Sequence, residues 1–292
     1  MKIAPVLLVL ALALPAAAQA PAPGEPETIY SDAQRLKDEL LSRKFVQSLL
    51  RPSYNLEGQF SRWKIPVCPH LVGMTPLAAH VVEKRIRDVA GQVGVSLDRR
   101  DPCRPNIVVF VTPQPQVLLQ AIAAKEPLLF DGAPPRELTV HYPVQSWYFG
   151  YFIDSAGVAH WDVDCWLHPI DPECTPGAAA DDTRLKTGMR AEMHAATILV
   201  DSAAVNGMRL GELGDYLALM ALAQATATGR CQPAPSIANL FLTNCDADFH
   251  VTSLSDADLA MLTALYQTPE EPEKLQMMRL MANMRHNLEG GK

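Results

Sequence analysis

The chain has no basic cluster, no second long apolar run, and none of the short motifs that mark the common nucleophile and nucleotide enzymes. Lys and Arg number 25 against 32 Asp and Glu, giving a formal net charge of −7 over 292 residues. That balance, with no local patch to override it, argues against nucleic acid or anionic lipid as the main partner. Gly-x-Ser-x-Gly is absent, so no strained strand-to-helix turn presents a serine nucleophile. The P-loop and the dinucleotide fingerprint are absent too, which removes the usual phosphate cradles. A zinc-protease helix needs two imidazoles one turn apart and a carboxylate to activate water. No two of the eight histidines stand four residues apart, and His-Glu-x-x-His does not occur. After residue 20 no segment approaches the run of about 20 apolar residues that a membrane helix requires.

At the start of the chain, Met1-Lys2 precedes the apolar run Val6–Leu14, and Ala18-Gln19-Ala20 supplies the small residues that a signal peptidase reads. Residues 1–20 are therefore expected to be a cleaved signal peptide, residues 21–30 a flexible linker, and residues 31–292 a single domain. Loss of Lys2 would make the net charge one unit more negative. Export to the periplasm or beyond frames the reading of Cys68, Cys103, Cys165, Cys174, Cys231 and Cys245. An even number in an exported chain favours disulfides, and local pairing predicts Cys68–Cys103, Cys165–Cys174 and Cys231–Cys245. The last would close a loop of about 15 residues, worth roughly 3 kcal/mol in the chain-entropy view. A zinc cluster is the competing use of cysteine, but no Cys-x-x-Cys pair is present.

Periodicity supplies the elements. A helix capped by Ser31 or Asp32 should bury Leu36, Leu40, Leu41, Phe45, Val46 and Leu49 and end at Arg51-Pro52. Phe60–Val67 partly alternates as a strand does. Thr75-Pro76 is an N-cap with proline at the first helical position, opening a helix to about Gly91 with Leu77, Val81, Val82, Ile86, Val89 and Ala90 inside. Asn106–Val111 is a continuous apolar run expected in the middle of a sheet, and a helix over Pro115–Ala124 follows. Gln145–Ile153 is an aromatic strand, residues 171–187 an exposed loop, and Ala195–Asp201 a further strand. Gly207–Gly229 contains a helix with Leu213, Tyr216, Leu217, Met220 and Ala221 at helical spacing. Leu219, Leu222 and Ala223 make its other side apolar, so it should be covered on most of its circumference. Gly229 is placed to stop it. Ser255-Asp256-Ala257-Asp258 starts another helix with Leu259, Leu262, Leu265 and Tyr266 on one side. A last helix carries a Met277, Met281, Met284 and Leu288 stripe expected to pack on the domain. The fold class is α+β, a mixed sheet packed with helices and stapled by disulfides.

Three groupings could bear chemistry. His160, Asp162 and Asp164 would share one face of a strand, and a histidine with two carboxylates can hold a divalent cation, with His168 in reserve. Polar residues on the wet face of an edge strand give the same pattern. His194 lies near the start of the strand that Asp201 ends, and it could act as a general base oriented by a carboxylate, although nothing supplies a nucleophile. Asp215 is expected to serve the helix dipole, and Tyr216 to pack in the core.

From Thr197 to Tyr266 the chain resembles a group of bacterial exported proteins of unknown function. The resemblance is carried by Thr-Ile-Leu-Val-Asp (197–201), Leu-Gly-Glu-Leu-Gly-Asp-Tyr-Leu-Ala-Leu-Met-Ala-Leu-Ala (210–223), Ser-Ile-Ala-Asn-Leu-Phe (236–241) and Leu-Ser-Asp-Ala-Asp-Leu-Ala-Met-Leu-Thr-Ala-Leu-Tyr (254–266). The strand at Trp147-Tyr148 looks like theirs as well. More distantly, the order of helix, Ser-Ile loop and Asp-rich helix start looks like the second half of a metzincin-type zinc peptidase. That resemblance implies a zincin-like scaffold with the ligand helix at 211–226 and the zinc-motif slots near Gly214–Ala218. Gly214 and Ala218 cannot bind zinc, and no histidine fills the third ligand position. The expected function is non-catalytic binding of an unknown protein or peptide of the cell envelope, with no cofactor and no catalytic or metal residue assigned. The alternative is a metal-dependent hydrolase or peptidase with an atypical site at His160, Asp162 and Asp164.

Overall fold

In the computed structural model the described residues are 41–50, 59–127, 136, 138–154, 159–160, 189–225, 229–269 and 273–290. They all fall in one compact unit, Glu39–Lys292. The predicted signal peptide, linker, acidic edge residues Asp162 and Asp164, and Cys165–Cys174 lie outside the described residues.

A six-stranded mixed sheet organises this unit: β1 (Arg62–Trp63), β2 (Pro69–Val72), β3 (Ile107–Thr112), β4 (Val144–Asp154), β5 (Ala159–His160) and β6 (Met189–Asp201). The order is β2-β3-β6-β4-β5, with β1 also on β6. β2 pairs with β3, and both β3 and β1 pair with β6, in parallel. β4 runs antiparallel to β6, and β5 antiparallel to β4. The expected strand over Phe60–Val67 is cut short. Only Arg62 and Trp63 pair as a strand, because Pro66 has no N–H to give to a ladder; Val67 returns in a single bridge to Leu97. β2 was not anticipated, and it begins on Pro69, where a proline is tolerated.

Helices cover the sheet unequally. On one face lie α1 (described over 41–49), α2 (Pro76–Gln92), α4 (Leu210–Leu222), α5 (Asp256–Gln267) and α6 (Glu273–Gly290), whose apolar sides merge with Ile107, Val109, Val111, Ile198 and Val200 in the main core. On the other, α3 (Pro115–Ala123) brings Leu119 and Ala123 against Leu199. Thr75 caps α2 by accepting from the Ala78 amide, and Pro76 opens its first turn. Two residues expected inside α2 are outside: Leu77 is 77 % exposed and Val81 39 %. The buried face uses Ala79, Val82, Ile86, Val89 and Ala90 instead, a narrower stripe than the hydropathy pattern implied. Leu41 of α1 is exposed for the same reason, whereas Phe45, Val46 and Leu49 are buried. Ser255 and Asp258 form a reciprocal capping box at the start of α5. Three of the four methionines of α6 pack inward, with Met277, Met281 and Met284 buried, whereas Met278 is exposed.

β6 is longer than its apolar end suggested, and its pairing with β4 slips between Phe149 and Gly150. The slip explains the glycine. A Cβ at Gly150 would sit 2.4 Å from the Glu192 carbonyl oxygen, closer than any side chain can come. Met193 joins the main core, while His194 stands edge-on to Tyr151, with ring centres 4.4 Å apart.

α4 is the spine of the main core, and every residue from Leu213 to Leu222 is buried. It stops at Leu222, well before Gly229, although Ala223 and Ala225 keep the apolar pattern. The reason is tertiary. The last carbonyls of a helix need donors, and here three aromatic side chains provide them in succession. Tyr148 Oη donates to Met220 O (2.7 Å), Trp63 Nε1 to Ala221 O (2.8 Å) and Tyr266 Oη to Leu222 O (2.6 Å). With those positions filled the chain turns away, and Ala225 bridges to Leu50. Among the described residues no helix is long and apolar enough to cross a membrane. Two of the three expected disulfides are present, Cys68–Cys103 and Cys231–Cys245.

Candidate binding site

One side of α4 faces a concavity. Tyr216 and Met220, one helical turn apart, form its floor. Tyr142, Pro143 and Val144 at the entry to β4 form one wall. The segment closed by Cys231–Cys245 forms the other wall, through Gln232, Ala238, Phe241 and Leu242. Leu49 reaches in from α1, and Gly229 and Arg230 complete the rim. The cavity measures about 110 Å³.

Its walls are held by specific contacts. The Tyr216 and Phe241 rings meet edge to face, 4.8 Å between centres, an arrangement that aromatic quadrupoles favour. Burial pushes the Tyr216 hydroxyl above its ordinary value, so it stays a neutral phenol. Gly229 has φ +65°, and a Cβ there would press on Tyr142 at 3.1 Å. Glycine therefore lets the Tyr142 ring lie against the backbone. The Gln232 backbone N–H donates to Asn239 Oδ1 (2.7 Å), and Asn239 Nδ2 donates to Phe249 O (3.0 Å).

A buried carboxylate anchors the same wall. Asp258 accepts from Ser236 Oγ (2.6 Å), Ile237 N (2.9 Å), Ser255 N (3.0 Å) and Ser255 Oγ (2.9 Å). Burial pushes its carboxyl up, against four donors that favour the charged form. The tight turn Ile237–Asn239 is thereby tied to the first turn of α5.

The residues singled out from the sequence are scattered. His160 pairs through its backbone with Phe152 on β4, at the edge of the sheet; Asp162, Asp164 and His168 lie outside the described residues. His194 is not oriented by Asp201. Seven residues of extended chain separate them by roughly 23 Å, and the Asp201 carboxylate instead accepts from Ala203 N in the following turn. The acid near His194 is Glu192, with Oε2 3.8 Å from Nε2, and Glu192 itself takes Arg190 Nε at 2.6 Å. Gly214 does not face the cavity: a Cβ there would meet Arg85 Cβ and Cγ at 2.8 Å, so it backs onto α2. Asp215 does more than serve the dipole, since it pairs with Arg85 Nε (2.5 Å) and accepts from Leu254 N (3.3 Å). Tyr216 is buried, as expected, but its turn also forms the cavity floor. The residues missed in the sequence are Tyr142, Gln232 and Ala238. The one signal for them was the cysteine-bounded segment with Gly229 just before it.

Among the described residues no group of three or more His, Cys, Asp and Glu is placed to hold a metal ion. Compared with protein-family models, with curated proteins and with solved structures, the chain matches none.

Proposed function

We propose that this is a non-catalytic binding protein of the cell envelope, exported to the periplasm or beyond and built on a zincin-like scaffold without the zinc motif. The observation that carries the reading is the pair Tyr216 and Met220. They stand four residues apart on the buried helix and face the cavity. Gly214 and Ala218, in the slots that a zinc helix gives to two imidazoles, offer no ligand; Tyr216, a phenol whose ionisation burial suppresses, and Met220, a thioether, offer a hard divalent ion little. They suit an apolar occupant, as do Val144, Phe241 and Leu242 around them. Two further features support the reading. β6 runs into the loop before α4 with antiparallel β4 alongside, so the floor lies next to an aromatic strand. The two disulfides are compatible with an oxidising compartment. Fold resemblance alone does not assign activity, so the test is chemical. Protein purified without chelator is expected to contain no stoichiometric transition metal by elemental analysis and to leave casein and ester substrates intact. One equivalent of metal, lost in His160→Ala without unfolding, would overturn the proposal in favour of the atypical hydrolase.

A further inference from the structure

Tyr216 in the cavity floor is 3 % exposed, and its ring is held edge-on against Phe241. Tyr148 and Tyr266 spend their hydroxyls on the last carbonyls of α4. The Tyr216 hydroxyl has no hydrogen-bond partner among the described residues. Nor is it one of the polar atoms sealed off without a partner, which among the described residues are His194 Nε2 and Gln224 Oε1. Its oxygen therefore keeps access to the space that the ring lines. Burial keeps this phenol protonated, so it is a donor in need of an acceptor. The lining holds no Asp or Glu, and its one base, Arg230 at the rim, is already engaged. An ion brought into such a space would lose its water without gaining a counter-charge, which is costly. The occupant is therefore neutral. Leu49, Val144, Met220 and Leu242 supply apolar contact. An ordered water wants about two to four polar partners, which walls of that kind do not offer; a carbonyl oxygen on a small alkyl body suits both the hydroxyl and the walls. At about 110 Å³ the cavity is smaller than the roughly 150 Å³ one that admits benzene, so the body has about five non-hydrogen atoms.

We infer that the cavity binds a small uncharged carbonyl compound, with its alkyl groups against Met220 and Leu242 and its oxygen accepting from the Tyr216 hydroxyl. This deepens the binding-protein reading and rests on it. Butanone titrated into the purified full chain should shift the Met220 methyl resonance saturably, with millimolar affinity, as a small ligand allows. Propionate, of the same size but charged, should bind at least about tenfold more weakly. The isostere 2-methylbut-1-ene has a methylidene group in place of the oxygen and should bind through the apolar walls alone. Tyr216→Phe should weaken butanone by about three- to tenfold without weakening the alkene. Its melting temperature should match that of the parent chain, because no bond within the protein is lost. A free ketone and the acyl end of a longer ester offer the same chemistry. Tyr216-dependent binding of hexyl acetate assigns the source to the longer molecule, and its exclusion assigns it to the free compound. The inference is overturned if butanone does not saturate, if propionate binds as tightly, or if Tyr216→Phe affects ketone and alkene equally. It is overturned too if Tyr216→Phe lowers the melting temperature as loss of a buried hydrogen bond would, since the hydroxyl would then have a partner in the protein. Those failures are read from titrations and melting curves, while failure of the binding-protein reading is read from metal content and hydrolysis, so the two are distinguishable.

Discussion

Tyr266→Phe isolates what holds the end of the central helix. The substitution keeps the ring and removes one oxygen, the donor to Leu222 O at 2.6 Å. Leu222 is fully buried, and no other backbone or side-chain donor reaches its carbonyl among the described contacts. A buried acceptor stripped of its partner costs about 1–3 kcal/mol, and packing is otherwise unchanged, so about 2 kcal/mol is expected. For a domain of this size each kcal/mol moves the melting temperature by roughly 2–4 °C, giving a fall of roughly 4–8 °C. Urea unfolding followed by tryptophan fluorescence should show the midpoint lowered at constant slope. Tyr148→Phe should cost less, because the single Tyr148 proton is divided between Met220 O (2.7 Å) and Ala225 O (2.6 Å), and Ser146 Oγ still donates to Ala225 O (3.0 Å). A loss below about 0.5 kcal/mol in Tyr266→Phe, the level of an ordinary surface change, would refute the view that aromatic donors end the helix.

Three further outcomes follow from other contacts. Replacing Cys231 and Cys245 together by serine should lower stability by roughly 3 kcal/mol through the freed loop; equal urea midpoints with and without the bridge would contradict this. Arg85→Met should destabilise more than Asp215→Asn, about 3 against about 1–2 kcal/mol, because Asp215 is left buried and unpaired whereas Arg85 is a third exposed and partly screened. The reverse order in chemical denaturation would count against it. Burial holds His194 below the ordinary histidine value, while Glu192 pulls it upward. A folded value below the unfolded one means that the folded state binds fewer protons. Its contribution is therefore present above the ordinary histidine range and lost as pH falls through that range. Stability should drop between about pH 7 and pH 5, and in His194→Gln that drop should be shallower; superimposable pH profiles would exclude the effect.

Much of the frame can be read from local pattern. Thr75-Pro76, the Ile107–Thr112 run and the Ser255–Asp258 cap each state their structure within a few residues, because a cap or a buried strand is a short-range device. Cys68–Cys103 and Cys231–Cys245 followed from proximity in the chain. What escaped was set by distant partners. The end of α4 depends on Tyr148, Trp63 and Tyr266, which come from three other elements, and the helical pattern itself continues past it. The polar half of β6 alternates Arg190, Glu192 and His194 with Ala191 and Met193. That is a strand period, but one lacking the β-branched residues that drew attention to the other half. The cavity was not legible, since Tyr142, Gln232 and Ala238 meet Tyr216 only after folding.

The Asp258 anchor also decides by which side a guest can enter. Swinging the Ala238–Phe241 wall outward would break the two bonds that tie it to that carboxylate, from Ser236 Oγ and Ile237 N, in one movement, so this wall behaves as a door frame. The opposite rim, Tyr142 resting on Gly229, is held there by a ring lying against bare backbone and is the leaf that can give way.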